Sequence, residues 1–139
     1  MTLKFGTDGI RGPVVDYLTP EACLSIGYSA GKVFASRGLD RAVIGRDTRA
    51  SGIPLQAALV AGLTSSGVDV ELLGVIPTPG VAYNLAWSQK FLKEKNRFGI
   101  MISASHNAYQ DNGIKFFSSS GNKISGEVEH EIEAGLIEY

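Results

Sequence analysis

The chain has 139 residues and 44% hydrophobic content, enough for one compact domain with its own core. Its 13 basic and 14 acidic residues nearly balance, which argues against a nucleic-acid-binding face. The longest uncharged stretch, residues 50–68, contains proline, glutamine and several hydroxyls and is a poor membrane span. The charged, glycine-containing start does not resemble a signal peptide, and the single cysteine, Cys23, fits the core. We therefore expect a cytoplasmic protein.

The first half of the chain alternates between helical and strand patterns. Residues 19–21 carry the start signals of a helix, namely a hydroxyl, a proline and an acid. Apolar residues then recur every three or four positions up to Gly38. A short apolar run at 41–45 predicts a strand, and leucines four apart predict a helix from about Ser51.

The second half continues this alternation. Apolar runs at 68–76, 98–104 and 114–117 predict strands, and a final helix is expected from about Ser125. A third helical stretch lies between the first two of these runs. This order is typical of the α/β class. We predict a single domain over residues 1–139, a three-layer α/β/α sandwich with a mixed, mostly parallel sheet of about four strands.

Polar clusters that follow strands are candidate sites, because ligands of open α/β sheets bind beyond the carboxyl ends of the strands. Three clusters stand out in the sequence: FGTDGIRG at 5–12, GRDTRASG at 45–52 and ISASHNAYQDNGIK at 102–115. If the backbone of the third stays extended, Ser103 and Ser105 face one way and His106 the other, which makes His106 a doubtful base for Ser105. Lys115 returns to this region after the turn signal Asn112-Gly113 and is the better partner.

Each cluster also has a structural explanation. The serines could simply cap the loop backbone, and Lys115 could be an ordinary solvated side chain. Arg11 offers a guanidinium for phosphate, although a tight turn explains the neighbouring glycines equally well. The second cluster places Arg46 and Arg49 beside Asp47, which is equally consistent with an anion site and with a local ion pair. The sequence has no Walker loop, GxGxxG, metal-ligand spacing or GxSxG elbow, so nucleotide binding and serine hydrolysis lose support.

Taken together, the first and third clusters closely resemble the first domain of the α-D-phosphohexomutase superfamily. GRDTR at 45–49 and PTPG at 77–80 resemble further motifs of that family in the expected order. The resemblance implies that Ser105 carries a phosphoryl group, donates it to a sugar phosphate and recovers it from a bisphosphate intermediate. It also implies a Mg²⁺ ion bound through the phosphorylated Ser105.

Other residues receive roles from the same resemblance. Lys115 would transfer protons or stabilise charge, Arg11 would lie at the phosphoserine, and His106 would help to shape the catalytic loop. The predicted phosphate- and substrate-binding residues are Thr7, Ser103 and Asn107.

Asp8 and the segment YQDNGIKFF at 109–117 look most like the phosphoglucosamine mutase branch of this superfamily. That branch implies conversion of glucosamine 6-phosphate to glucosamine 1-phosphate through a 1,6-bisphosphate, an amino-sugar step towards bacterial cell-wall precursors. The alternatives are a phosphoglucomutase or phosphomannomutase domain, and a non-catalytic module that binds phosphate.

The sequence departs from the family pattern in two ways. The family loop usually reads SHNP, whereas Ala108 here frees φ and restores a backbone N–H, so the loop should be less rigid. The family's magnesium, sugar-selecting and phosphate-binding segments lie in later domains, which these 139 residues do not include. We therefore expect the isolated domain to be inactive, with the sugar phosphate and the remaining domains as its partners. The resemblance also allows a homodimer of the full enzyme.

Overall fold

A computed structural model describes residues 2–136 and shows one five-stranded sheet with four helices in that part of the chain. The elements in chain order are β1 (Ile10–Pro13), α1 (Pro20–Ser36), β2 (Arg41–Arg46), α2 (Gly52–Ser65), β3 (Asp69–Val75), α3 (Thr78–Phe91), β4 (Arg97–Ile102), β5 (Asp111–Phe117) and α4 (Gly126–Ala134). The strand order is β1-β5-β4-β2-β3. Strand β2 pairs in parallel with β3 and β4, whereas β5 pairs antiparallel with β4 and β1. The predicted α/β class and mixed sheet are confirmed.

The sheet has five strands where about four were predicted, and the additional strand is β1. This strand has 4 residues, and Ile10 is the one that is buried. It forms because it pairs along β5, with Ile10 opposite Ile114 and Pro13 opposite Asp111. A proline is tolerated there because β1 is an edge strand. Four residues with two polar or glycine positions are too few to show a strand period.

Two of the predicted helix starts, those of α1 and α4, are confirmed by side-chain caps. The Thr19 hydroxyl accepts a hydrogen bond from the Ala22 N–H at 3.1 Å, and Pro20 opens α1. The Ser125 hydroxyl accepts from the Val128 N–H at 3.3 Å at the start of α4. These caps satisfy backbone donors that have no partner inside the helix.

Side chains alternate between two faces of the sheet and form two separate cores. One face, called here the three-helix face, is covered by α1, α2 and α4 and includes Ile44, Ile100 and Phe116. The opposite face, called the α3 face, packs Val43, Met101 and Phe117 against Val81 and Leu85 of α3. The predicted three layers are therefore present. Among residues 2–136, no helix combines the length and the apolar content that crossing a bilayer requires.

Helices α1 and α2 approach closely because glycines lie where they touch. A Cβ atom added at Gly62 would lie 2.3 Å from the Leu24 carbonyl oxygen and 2.6 Å from the Tyr28 nitrogen. One added at Gly27 would lie 2.6 Å from the Leu59 oxygen. Because these neighbours are backbone atoms, they cannot rotate away from a new methyl group.

We expect Gly62→Ala to lower the free energy of unfolding by about 2 kcal/mol, since the overpacking cost exceeds the gain in helix propensity. Denaturant titration of the domain measures the change. Gly126→Ala is the matched control, because within residues 2–136 its added Cβ meets nothing within 4 Å beyond its chain neighbours and its own helix backbone. That variant should stay within about 0.5 kcal/mol of the original domain. Equal midpoints for the two variants would contradict the close contact.

Cys23 lies in α1 and is fully buried in the core of the three-helix face, as predicted. Burial raises the pKa of its thiol from 9.0 to about 12. Since thiolate is the reactive form, we expect a thiol reagent at pH 8 to label the folded domain about 10³-fold more slowly than the unfolded chain. Labelling followed with and without urea tests this; equal rates would mean that α1 opens readily.

Candidate active site

The loops that follow β2 and β4 meet at the carboxyl edge of the parallel strands. Arg46 and Ile102, the last residues of these strands, are paired in register. The Asp47 N–H donates to the Ile102 oxygen at 3.1 Å, so the loops leave the sheet side by side. The second loop rejoins the sheet where the Ser103 N–H donates to the Gly113 oxygen at 2.9 Å. The second and third polar clusters therefore form one site at the edge where ligands are expected.

The loop after β4 turns sharply at Ser105, whose φ of 54° lies in the left-handed region. The Asn107 N–H donates to the Ala104 oxygen at 2.9 Å and closes this turn. A left-handed non-glycine residue costs about 1–2 kcal/mol and persists where its surroundings hold it. The Ser105 side chain is exposed, and its hydroxyl makes no hydrogen bond within residues 2–136. The turn thus exposes a hydroxyl that has no hydrogen-bond partner in the described part of the chain.

The left-handed turn changes the reasoning about His106. The argument that His106 faces away from Ser105 assumed an extended backbone, and the backbone is not extended here. His106 is exposed, and its imidazole has no hydrogen bond or ion pair in the described part of the chain. The role of His106 in shaping the loop stays a prediction.

Arg49 holds the loop from outside. Its Nε donates to the Asp47 carboxylate at 3.2 Å. Its other four N–H groups donate to backbone oxygens at 2.7–3.1 Å, those of Ser105, Asn107, Ala108 and Asp111. Because a guanidinium has five N–H donors, Arg49 has none left for an anion. For Arg49, the choice between an anion site and a local ion pair is decided in favour of the ion pair.

The Asp47 carboxylate extends this network to the residue before the turn. It accepts hydrogen bonds from the Ser103 hydroxyl at 2.7 Å and from the Arg49 backbone N–H at 3.0 Å. The Ser103 oxygen in turn accepts from the Ser105 N–H at 3.1 Å. The Asn107 side chain similarly donates to Asp111 at 3.2 Å. Ser103 and Asn107 are therefore used inside the loop, and their predicted roles in phosphate binding stay predictions.

Arg11 approaches the same loop from β1. Ile10 packs in the core of the three-helix face, so Arg11 points to the α3 face. Its side chain crosses Gly113, where an added Cβ would lie 2.8 Å from the Arg11 Cγ, and its Nη1 lies 3.5 Å from the Ala104 oxygen. Its buried Nε has no hydrogen-bond partner in the described chain. Unlike Arg49, Arg11 keeps most of its donors for a ligand.

Lys115 lies on β5 and shares the α3 face with Arg11. It is half-buried, and its Nζ lies 5.5 Å from the centroid of the Phe117 ring, without a hydrogen bond or ion pair among residues 2–136. Thr7 is exposed, and its carbonyl oxygen accepts from Lys123 at 2.9 Å. An added Cβ at Gly9 would lie 3.1 Å from the Lys115 Cα. The turn that contains Thr7 therefore lies beside Lys115, and no hydrogen bond between described residues joins it to the Ser105 loop.

The predicted turn at Asn112-Gly113 is wrong, because both residues lie within β5. Asn112 is fully buried, and its Nδ2 donates to the Ser51 hydroxyl at 2.9 Å, which joins the start of α2 to β5. Its Oδ1 accepts from the Gly113 N–H at 2.9 Å. The dipeptide Asn-Gly is typical of a turn, but it is also compatible with a strand in which the asparagine is buried and hydrogen-bonded to a specific partner. The sequence therefore could not distinguish the two.

The described residues do not by themselves form a magnesium site. Within residues 2–136, no three His, Cys, Asp or Glu side chains lie together in a way that could hold a metal ion. The two carboxylates near the loop are already hydrogen-bonded, Asp47 to Ser103 and Arg49 and Asp111 to Asn107. Additional oxygen ligands would be needed to complete the coordination of a hard cation.

The fold and the site define an α/β/α domain that presents an exposed serine hydroxyl on a loop reached by the Arg11 guanidinium, a combination suited to binding phosphoryl groups. The family model described as phosphoglucomutase/phosphomannomutase, alpha/beta/alpha domain I, matches residues 2–139. The chain belongs to this family.

Individual relatives agree with that membership. The chain is 50% identical to a phosphoglucosamine mutase from Alcanivorax borkumensis, over 99% of this chain and 30% of the relative. It is 54% identical to one from Burkholderia mallei, over 95% of this chain and 30% of the relative. The chain thus spans about 30% of the length of these curated relatives.

Solved structures show the same fold. A putative phosphomannomutase from Thermus thermophilus superimposes with a TM-score of 0.84 and 31% identity, over 99% of this chain and 30% of that one. A Paramecium phosphoglucomutase, pp63/parafusin, superimposes with a TM-score of 0.83 over 98% of this chain and 26% of that one. Its identity is 20%, so that likeness shows the fold alone.

Proposed function

We propose that this chain is the phosphoserine-bearing domain of a phosphosugar mutase that converts glucosamine 6-phosphate to glucosamine 1-phosphate. The substrate is inferred from relatives named phosphoglucosamine mutase at 50% and 54% identity. The observation that carries the proposal is the state of Ser105: its hydroxyl is exposed and uncommitted, while the loop around it is hydrogen-bonded to Arg49, Asp47 and Ser103.

In the proposed reaction, phosphorylated Ser105 donates its phosphoryl group to the 1-hydroxyl of glucosamine 6-phosphate. The bond between phosphorus and the serine oxygen breaks, a bond to the sugar oxygen forms, and the hydroxyl proton leaves to a base. The 6-phosphoryl group of the resulting 1,6-bisphosphate then passes back to Ser105 and releases glucosamine 1-phosphate. No phosphate is lost, so the enzyme returns to its starting state.

The charges near Ser105 support this role. A phosphoserine adds about 1.5 to 2 negative charges, so it needs cationic neighbours. Arg11 has free donors beside Ala104, and the Lys115 ammonium is unpaired on the same face in the described chain. We assign Arg11 to the phosphoserine and Lys115 to proton transfer or to charge stabilisation during transfer.

The remaining parts of the proposal lie outside the described residues. Mg²⁺ would use the Ser105 phosphate as its ligand from this loop and would neutralise charge on the phosphoryl oxygens. Its other ligands and most contacts with the sugar would come from further domains, so the 139-residue domain alone would be inactive. We also propose a cytoplasmic enzyme that supplies amino sugar for cell-wall precursors, and a homodimer of the full enzyme is compatible with this role.

The test compares glucosamine, glucose and mannose 6-phosphates as substrates of the full-length protein, with Mg²⁺ and a sugar bisphosphate activator. Peptide mass spectrometry locates the phosphate. We expect the fastest conversion of the glucosamine phosphate and phosphate on Ser105. Preference for glucose or mannose phosphate would overturn the proposed substrate. Absence of both turnover and phosphoserine would favour a phosphate-binding module, and turnover by the 139-residue domain alone would show that it is complete.

A further inference from the structure

We propose that Asp47 and Arg49 are positioning residues that fix the Ser105 loop in the shape needed for phosphoryl transfer. This inference rests on the proposed function of Ser105. Neither side chain needs to touch the substrate, because Arg49 acts through the loop backbone and Asp47 acts through Arg49 and the Ser103 hydroxyl.

The N–H and the carbonyl of Ser105 are both linked to the ion pair of Asp47 and Arg49. The Ser105 carbonyl accepts from Arg49 Nη2 at 3.0 Å. The Ser105 N–H donates to the Ser103 hydroxyl, which donates to Asp47 at 2.7 Å. Because Arg49 and Asp47 also bind each other, Ser105 is held on both sides by one ion pair. These hydrogen bonds can hold Ser105 in the left-handed conformation, although that conformation costs free energy.

Arg49 also binds the dipoles of the loop carbonyls. Four carbonyl oxygens of the loop converge on one guanidinium, at 2.7–3.1 Å. Their partial negative charges would otherwise repel a phosphoserine on the same loop. By binding them, Arg49 both shapes the turn and removes that repulsion. The Arg49 side chain is 12% exposed, so water screens these interactions only in part.

Lysine cannot replace arginine at position 49. An ammonium is a point charge with three donors, whereas Arg49 uses five donors in one plane. Arg49→Lys therefore keeps the charge and removes the geometry. A displacement of about 1 Å at a reacting group can cost about 100-fold in rate.

The experiment measures kcat and KM of the full-length protein with glucosamine 6-phosphate. We expect Arg49→Lys to lower kcat about 100-fold while KM changes less than about threefold, because loop geometry is lost rather than substrate contacts. Asp47→Asn should lower kcat in the same direction. The double variant should be no slower than Arg49→Lys, because residues that act as one unit are not additive.

The matched control is Arg37→Lys. Arg37 also forms an ion pair, with Glu131 at 3.0 Å, but it joins α1 to α4. That variant should keep its kcat, and circular dichroism at the assay temperature should show that every variant compared is folded. If Arg49→Lys does not fold, Asp47→Asn carries the test.

The outcomes separate the two proposals. A normal kcat in Arg49→Lys or, if that variant does not fold, in Asp47→Asn, overturns the positioning role. Multiplicative losses in the double variant also overturn it, because the two residues would then act independently. If Ser105→Ala keeps full activity, the proposed function itself fails, whatever the Arg49 variants do.

Discussion

Replacing Ser105 with alanine in the full-length protein is expected to reduce mutase turnover by at least about 10⁴-fold, as loss of a catalytic nucleophile does elsewhere. The hydroxyl is the atom that would bond to phosphorus. The Ser103 hydroxyl in the same loop already donates to Asp47 and accepts from the Ser105 N–H. Phosphorus NMR of the sugar phosphates measures turnover, and intact mass reports whether the protein still carries phosphate.

The fold of this variant should be preserved, because the Ser105 side chain is exposed and makes no hydrogen bond among residues 2–136. Its stability should change by less than about 0.5 kcal/mol. Ser36→Ala on the exposed end of α1 serves as control, since within the described chain its hydroxyl hydrogen-bonds only to the Val33 carbonyl. That variant should remain fully active. Turnover above about 0.01% of the original rate in Ser105→Ala would be a smaller loss than expected and would indicate another phosphate acceptor.

Lys115→Met is expected to lower kcat by about 10²- to 10⁴-fold, the range of a general acid–base group. Methionine retains an aliphatic stem that can lie near Phe117, so the packing on β5 should be kept while the ammonium is removed. Steady-state kinetics of the full-length protein, read together with the thermal midpoint, separates a chemical effect from unfolding.

Lys90→Met provides the matched control for this change. Lys90 also lies over a phenylalanine, with its Nζ 5.3 Å from the Phe91 centroid, but it belongs to the last turn of α3. Its loss should leave kcat unchanged. If Lys115→Met is as active as Lys90→Met, Lys115 takes no part in proton transfer or in charge stabilisation.

The fold was predicted well where long periodic segments specify it. Helix α1 has a cap, a proline in its first turn and a continuous apolar face, and all three signals agree. Strand β1 was missed because its 4 residues are held by pairing with β5, a partner about a hundred positions away. Asn112 was misread because its buried hydrogen bond to Ser51 depends on the assembled sheet.

The candidate site divides in a similar way. Ser105, Arg11 and Lys115 are candidates because hydroxyl and basic groups are visible in the sequence, and their proposed roles come from the family resemblance. The sequence is consistent with Arg49 as an anion site and as part of a local ion pair, because its partners are backbone carbonyls 56 to 62 positions away. Carbonyls are present at every residue, so no residue type marks them in a sequence. Their convergence on Arg49 becomes visible only when the chain is folded.

This arrangement has a consequence for how the loop can vary between proteins. Arg49 binds main-chain oxygens, which every amino acid supplies, so changes of side chain at 106–110 leave its hydrogen bonds in place. Ala108 is an example: its carbonyl accepts from Arg49 at 2.7 Å, whereas its N–H donates no hydrogen bond to a described residue. The proline usual at this position and the alanine found here can therefore serve the same clamp. Side-chain substitutions in the loop are compatible with its shape, because the hydrogen bonds of Arg49 to main-chain oxygens maintain that shape.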